Sequence, residues 1–289
     1  MSAPRGTLAP IGLLLVAMVS VQAGAGVAKG LFPMVGAPGV TALRLAFATV
    51  IMFAVFRPWR SPPSRAAWPA LIAYGAALGA MNLLFYLAIA RLPLGVAVAL
   101  EFTGPLAVAL LGSRRPTDLV WAGLAAGGVF LLSPLARSIA PIDPLGSLFA
   151  LAAGGCWALY ILFGQKAGDA QGPSAAAWGM AVATAVALPI GVAMTGAAIL
   201  QPAALPLAFL VALLSSAIPY SIEMVALGRL STRLFGVLMS VEPALAALWG
   251  FILLHERLEP LQLLGIAAVA LASAGAALGA APKAATLPP

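Results

Sequence analysis

Four ionisable side chains lie inside otherwise charge-free apolar stretches of the sequence: Arg44, Glu101, Glu223 and Glu242. If these stretches cross a bilayer, each charge costs at least about 3 kcal/mol at the membrane centre, so a group kept there usually has a function. A carboxyl group in such apolar surroundings can take up and release a proton near neutral pH. We therefore predict that Glu101, Glu242 and Glu223 are candidates for proton coupling.

Arginine keeps its charge in apolar surroundings and offers a planar fork of N–H donors that matches a carboxylate. A fixed cation near carboxylates complements a zwitterion, whose ammonium and carboxylate groups must both find partners when water is removed. Arg44 is thus a candidate ligand for the carboxylate of an amino acid. The structural alternative for these groups is a buried Arg–Glu pair, or a carboxyl group kept protonated against a serine or a backbone carbonyl.

Further candidates come in pairs that are three or four positions apart: Asn82 with Tyr86, Trp157 with Tyr160, and Tyr220 with Glu223. Residues at these spacings share one face of a helix. We interpret the uncharged members of these pairs as candidate substrate-binding residues. The alternative is that they pack between helices or anchor the chain at the membrane interface.

The sequence offers little to an enzyme. One histidine and one cysteine are too few ligands for a metal site, and the nucleophile elbow, the phosphate-binding loop and the zinc-protease helix motif are absent. The 15 Lys and Arg residues occur singly or in pairs between apolar stretches, so the net charge of +7 does not indicate nucleic-acid binding. We predict no enzymatic activity, no metal, no cofactor and no nucleic-acid partner.

The elements that carry these residues are membrane-spanning helices. Of the 289 residues, 63% are hydrophobic and 8% are charged, whereas a soluble chain has about a quarter charged. Because about 20 residues of helix cross the hydrocarbon layer, the chain divides into ten charge-poor spans, at approximately 8–28, 37–56, 67–90, 94–112, 119–136, 145–165, 174–195, 205–227, 234–254 and 260–280. A cleaved secretory signal is the alternative for the first span, although its apolar run is longer than a signal core.

Orientation follows from the basic residues, because positively charged connections stay in the cytoplasm. One alternate set of connections contains ten bases and the other contains four. We therefore predict a multi-pass membrane protein with both termini in the cytoplasm. Lys29 falls at the outer end of the first span, where we expect its side chain to extend towards the interface.

An internal repeat divides the spans into two groups of five. At an offset of 138 positions, Arg91-Leu92 matches Arg229-Leu230, Pro105 matches Pro243, and Gly112 matches Gly250. Each copy has a glutamate shortly before its proline, and we expect the prolines to interrupt their helices there. Because five is an odd number, the second copy would enter the membrane from the opposite face. Residues 1–138 and 139–289 would then form two inverted repeats of one membrane domain, as in many transporters. Chance similarity between two Ala/Leu/Gly-rich helices is the alternative.

Several stretches resemble one known family. They are 31–45, 93–110, 113–116, 155–161, 219–224 and 242–247, and the similarity extends over about residues 10–280. Together they resemble the EamA-type branch of the drug/metabolite transporter superfamily. That resemblance implies a protein of the bacterial inner membrane with ten helices in two inverted five-helix repeats and a central cavity. It also implies export of small metabolites driven by the proton motive force.

We expect a proton-driven exporter of small neutral amino acids, and the resemblance points first to threonine and homoserine. Its expected partners are the amino acid, protons and membrane lipid. Two alternatives remain open: an exporter of drugs or other metabolites from the same superfamily, and a membrane subunit that presents a lipid-linked substrate to an enzyme. The short connections between spans leave no room for a soluble catalytic domain, which disfavours the second alternative.

Overall fold

The computed structural model describes residues 8–111, 116–133, 142–219, 222 and 232–279. Within these ranges the chain is helical and has no β-strand. Helices are the expected solution for so apolar a chain, because in lipid every backbone N–H and C=O must be paired within the protein. The predicted all-helical class is confirmed.

Eleven α-helices make up the described part of the chain. They are α1 Leu8–Phe56, α2 Trp68–Ile89, α3 Leu94–Glu101, α4 Thr103–Leu111, α5 Asp118–Leu131, α6 Pro144–Gln171, α7 Ala175–Thr195, α8 Ala204–Ala212, α9 Thr232–Met239, α10 Glu242–Leu254 and α11 Pro260–Gly279. A π-helical turn, Leu213–Ala217, continues α8. Three short 3-10 turns lie at Pro58–Arg60, Gly172–Ser174 and Gly196–Leu200.

Seven stretches of the described chain are long and apolar enough to cross a membrane: Ala9–Phe56, Trp68–Ile89, Leu94–Leu111, Pro144–Gln171, Ala175–Leu200, Val237–Leu254 and Pro260–Leu278. Two shorter apolar helices are Asp118–Leu131 and Ala204–Ala217. The predicted membrane-spanning character is therefore confirmed. The count of ten spans and the inverted repeat stay predictions.

The first helix is broken in its middle. At 49 residues α1 would extend about 70 Å if straight, more than twice the hydrocarbon thickness. Gly36 interrupts it with φ 66° and ψ 162°, backbone angles that residues with a side chain rarely adopt. The break separates a first arm, residues 8–35, from a second arm, residues 37–56. The first arm packs against α10, and the second arm packs against α7.

The amino-terminal end of α6 is tied to the turn between α2 and α3. Asp143 caps α6 by accepting a hydrogen bond of 2.6 Å from the Gly146 N–H. Its carboxylate also lies 3.3 Å from the Arg91 guanidinium. The Gly146 bond and the Arg91 charge hold the pKa of Asp143 below its usual value, since both favour the charged carboxylate. This cap fixes where α6 begins.

The core surrounds α3, all of whose residues are buried. Small residues allow neighbouring helices to approach it closely. A β carbon on Gly95 would lie 2.7 Å from the Cα atom of Ala247, so α10 packs directly on α3. Helices α6 and α11 also contact α3. The residues at the end of α3 are consequently held in the middle of the protein.

Candidate functional site

A cavity of about 600 Å³ lies at the centre of the helices. This volume is in the range of small-molecule sites, which are mostly apolar with a few placed polar groups. Most of its lining is apolar. The polar or charged residues that line it are Gln22, Arg44, Asn82, Glu101, Tyr160, Gln165, Ser215, Glu242 and Ser273, together with the indole of Trp157.

Most of the residues that the sequence singled out meet in this cavity. Six of the nine predicted site residues line it: Arg44, Asn82, Glu101, Trp157, Tyr160 and Glu242. Tyr86 is fully buried behind the wall, where it contacts Arg44. Tyr220 and Glu223 lie outside the described residues. Their predicted roles in substrate binding and proton coupling stay predictions.

Arg44 is held in place by the face of α2 that Asn82 and Tyr86 share. One guanidinium nitrogen donates to the Tyr86 hydroxyl at 3.1 Å, and the other donates to the Asn82 side-chain oxygen. The guanidinium carbon also lies 5.1 Å from the centre of the Tyr86 ring, a cation–π distance. Asn82 is itself fixed, because its amide donates to the Leu78 carbonyl at 2.8 Å.

Arg44 makes no direct ion pair with an acid among the described residues. The side chain is only 6% exposed, and its Nε has no hydrogen-bond partner in the described structure. Its charge interacts with the Glu101 carboxyl group without direct contact, and a buried charge that lacks a direct partner is expensive. The direct Arg–Glu pair that we considered as the structural alternative is not formed among the described residues, and the role of Arg44 in binding stays a prediction. The Arg44 guanidinium thus borders the cavity with no described carboxylate in direct contact.

Glu101 and Glu242 lie at breaks between helices. Glu101 is the last residue of α3 and Glu242 is the first residue of α10. Both side chains are buried, and the two carboxyl groups interact electrostatically with each other, while Glu101 also interacts with Arg44. Breaks at membrane depth are tolerated where the backbone faces protein or a cavity. The arrangement places two carboxyl groups and the Arg44 guanidinium in the lining of one cavity.

The break after Glu101 has a cause in the sequence. Pro105 has no N–H, so the Glu101 carbonyl loses the donor that would continue the helix. That carbonyl faces α6, where a β carbon on Gly154 would lie 2.6 Å from it. Gly104 and Gly154 thus let the backbones of α4 and α6 touch at the level of Glu101. Pro243, by contrast, stands in the first turn of α10, where the missing N–H costs no helix bond.

Trp157 and Tyr160 line the cavity from α6 and also pack between helices. The Trp157 ring makes an edge contact with Phe102 at 5.1 Å between centroids, and Tyr160 stacks on Tyr74 at 5.0 Å. Both residues therefore line the cavity and pack between helices, and their role in substrate binding stays a prediction.

Sequence reasoning missed four uncharged residues of the cavity: Gln22, Gln165, Ser215 and Ser273. Single Ser and Gln residues are common enough in membrane helices that they carry little signal by themselves. Gln22 and Gln165 could have been noticed, because a primary amide within a membrane span needs hydrogen-bond partners.

A polar network lies beyond one end of the cavity lining, and we call this end the closed end. The Lys29 ammonium lies 2.6 Å from the Glu256 carboxylate and donates to the Leu92 carbonyl at 2.7 Å. The second oxygen of Glu256 accepts the Leu94 N–H at 2.8 Å. We had expected the Lys29 side chain to extend freely towards the interface. It makes an ion pair instead. The reason is Glu256, which tertiary packing brings to it from 227 positions away.

The cavity extends away from the closed end. Ala25 and Val98 line it one helical turn beyond Lys29 and Leu94. At the far side, Ala109, Gln165 and Ala277 line it near the ends of α4, α6 and α11. The cavity therefore runs from the closed end towards the opposite ends of these helices.

An all-helical membrane protein with a central cavity lined by charged residues has the architecture of a small-molecule transporter. Comparison with known proteins agrees. Residues 144–278 match the model of the EamA-like transporter family. The threonine/homoserine exporter RhtA of Escherichia coli K12 is 54% identical over 269 residues, which cover 93% of this chain and 91% of that protein. RhtA of Salmonella typhimurium LT2 is 53% identical with the same coverage.

More distant comparisons reach the same fold. An uncharacterised protein of Pseudomonas aeruginosa is 35% identical over 240 residues, covering 78% of this chain and 79% of that one. A solved crystal structure superposes with a TM-score of 0.58 over 95% of this chain and 96% of its own, and its 21% identity shows a likeness of fold alone. The chain belongs to the EamA-like transporter family. It is a transporter and not an enzyme.

Proposed function

We propose that this protein exports small neutral amino acids from the cytoplasm, threonine and homoserine first, in exchange for protons. The names of the RhtA relatives support this substrate choice. The observation that carries the proposal is the buried guanidinium of Arg44, which makes no direct ion pair with a described acid and shares a cavity with Glu101 and Glu242. A zwitterion complements such a site, since its carboxylate pairs with Arg44 and its ammonium with a glutamate.

The same carboxyl groups suit proton coupling. An ammonium group and a proton would compete for one pair of buried acids, so binding of either would favour release of the other. Competition of this kind couples export to proton entry without any soluble domain. Glu101 is the first candidate for the proton carrier, followed by Glu242 and Glu223.

We further propose ten spans in two inverted repeats, residues 1–138 and 139–289, with both termini in the cytoplasm of a bacterium. The break at Gly36 supports a division of α1 into two spans. The excess of bases in one set of connections supports the orientation. On this topology the closed end faces the periplasm and the cavity opens inward. Reporter fusions test it: both termini should report cytoplasm, and a terminus reporting periplasm contradicts the proposal.

Transport assays in proteoliposomes test the substrate proposal directly. The purified full chain, reconstituted with a pH gradient, should move labelled threonine and homoserine, and dissipating the gradient should stop net accumulation. Cells expressing the chain should survive excess threonine and homoserine better than cells without it. Export of cationic dyes without amino-acid transport would favour a drug exporter instead. A lack of transport of either class would contradict the proposed function.

Breaking the closed end should open the cavity towards the periplasm. We expect Glu256→Gln to raise the labelling rate of a cysteine at Val98 by about tenfold, because a charge-assisted bond contributes about 1.5–3 kcal/mol. The measurement uses a membrane-impermeant thiol reagent added from outside, in a Cys156→Ser background.

Arg91→Gln is the matched control for this experiment. It breaks the exposed pair with Asp143 at the same end of the protein, and exposed pairs contribute little. Equal labelling of Glu256→Gln and Arg91→Gln would show that the Lys29–Glu256 pair does not hold the closed end shut.

A further inference from the structure

Four cavity residues have a buried polar atom without a partner among the described residues: Gln22, Arg44, Ser215 and Ser273. Two of them, Gln22 and Ser215, lie on neighbouring elements. Neither Gln22 Oε1 nor Ser215 Oγ has a hydrogen-bond partner in the part of the chain that the structure describes. Gln22 is 3% exposed and Ser215 is 6% exposed. Buried polar atoms are nearly always paired, so unpaired ones at a cavity point to a ligand that completes them.

These two residues lie on elements that pack tightly against each other. Ser20, on the first arm of α1, donates to the Leu214 carbonyl at 2.7 Å. Gly24 leaves no space for a β carbon, because the Ser215 hydroxyl occupies that position. Gln22 lies between these two contacts along the chain, and both Gln22 and Ser215 line the cavity.

The backbone around Ser215 is unusual. Residues Leu213–Ala217 form a π-helical turn, and such turns are frequent at functional sites because they reposition side chains relative to a regular helix. Here the turn presents Ser215 to the cavity, whereas its neighbour Ser216 is fully buried and does not line it.

We propose that Gln22 and Ser215 form the subsite for the side-chain hydroxyl of the transported amino acid. The inference rests on the proposed function and names the feature of the substrate that is selected. A hydroxyl group would donate to Gln22 Oε1 and accept from the Ser215 hydroxyl, which supplies both missing bonds. Threonine and homoserine share this hydroxyl. Arg44 and the glutamates would bind the carboxylate and ammonium groups, which every amino acid has. Those contacts cannot distinguish an amino acid with a hydroxyl group from one without it.

A site built for a hydroxyl rejects an analogue in which a methyl group replaces it, because the buried polar groups then stay unpaired. Valine is that analogue of threonine, and norvaline is that analogue of homoserine. We therefore expect the wild-type protein to prefer threonine over valine and homoserine over norvaline by at least about tenfold in transport efficiency.

The test measures both preferences in proteoliposomes containing the full chain. Ser215→Ala and Gln22→Met should each reduce the preference about tenfold, mainly by lowering threonine and homoserine transport, while valine and norvaline transport is unchanged or increases. Ser216→Ala is the matched control, since it removes an adjacent buried hydroxyl that does not line the cavity, and it should leave both preferences as in the wild type. The retained transport of valine shows that the variants are folded.

Three results would overturn the inference. One is unchanged preferences in both Ser215→Ala and Gln22→Met. Another is an equal loss in Ser216→Ala. The third is a loss of preference in Ser273→Ala alone, which would move the hydroxyl subsite to the unpaired Ser273 on α11. If wild-type protein transports all four amino acids equally well, this inference fails and the proposed export function stands. If it transports none of them, the proposed function fails.

Discussion

Replacing Arg44 by lysine should reduce threonine export at least about tenfold while the amount of protein in the membrane stays normal. Lysine keeps the charge but has one nitrogen in place of the planar fork, so it cannot offer two parallel donors to a carboxylate while it also bonds Asn82 and Tyr86. Hydrogen bonds to charged groups contribute about 1.5–3 kcal/mol, which corresponds to a loss of roughly tenfold or more per bond. The measurement is the initial rate of gradient-driven threonine transport, normalised to reconstituted protein.

Arg91→Lys is the control for Arg44→Lys. It makes the same chemical change at an exposed arginine, whose side chain is 45% exposed and pairs only with Asp143 in the described structure. We expect wild-type transport from this variant. Full export by Arg44→Ala would remove Arg44 from substrate binding and leave it a purely structural role.

Tyr86→Phe separates positioning from binding. It removes the 3.1 Å bond to the Arg44 guanidinium but keeps the aromatic ring beneath it. Because Tyr86 is fully buried and does not line the cavity, we expect a smaller loss than in Arg44→Lys, seen mainly as weaker substrate binding.

Glu101→Gln should abolish the response of transport to a pH gradient while the protein still binds amino acid. Glutamine resembles the protonated carboxyl group in size and polarity but cannot release a proton. Accumulation driven by the gradient should therefore fall at least about tenfold, whereas exchange of labelled for unlabelled threonine across the vesicle membrane should continue. Comparing these two rates in one preparation distinguishes loss of coupling from loss of binding.

Glu242→Gln should show a similar but weaker defect. Glu101 interacts with both Glu242 and Arg44 and stands at the end of the central helix α3, which favours it as the principal carrier. Glu259→Gln, before the first turn of α11, is a control that changes an acid outside the cavity lining. Wild-type gradient-driven transport by Glu101→Gln would place the proton carrier elsewhere, with Glu223 next in line.

Several conclusions could be drawn from the sequence alone. The free energy needed to place a charged or polar group in the hydrocarbon layer depends mainly on that residue itself. A charge within an apolar span is expensive whatever surrounds it, so Arg44, Glu101 and Glu242 could be selected without knowing their neighbours. The pairing of Asn82 with Tyr86 was also predictable, since helical spacing alone places both on one face of α2. The helical class followed from composition in the same way.

Tertiary structure decided which of these residues meet, and it added others. The helices are apolar on nearly every side, so hydrophobic periodicity does not mark the face that looks inward. Only packing could therefore show that Arg44 contacts α2, that Glu101 lies near Glu242, and that the backbone at Gly154 touches the carbonyl of Glu101. The ion pair between Lys29 and Glu256, and the unpaired atoms of Gln22 and Ser215, also depend on contacts between elements far apart in the chain. Such contacts depend on how each helix is rotated and how closely small residues let it approach, which no single helix determines alone.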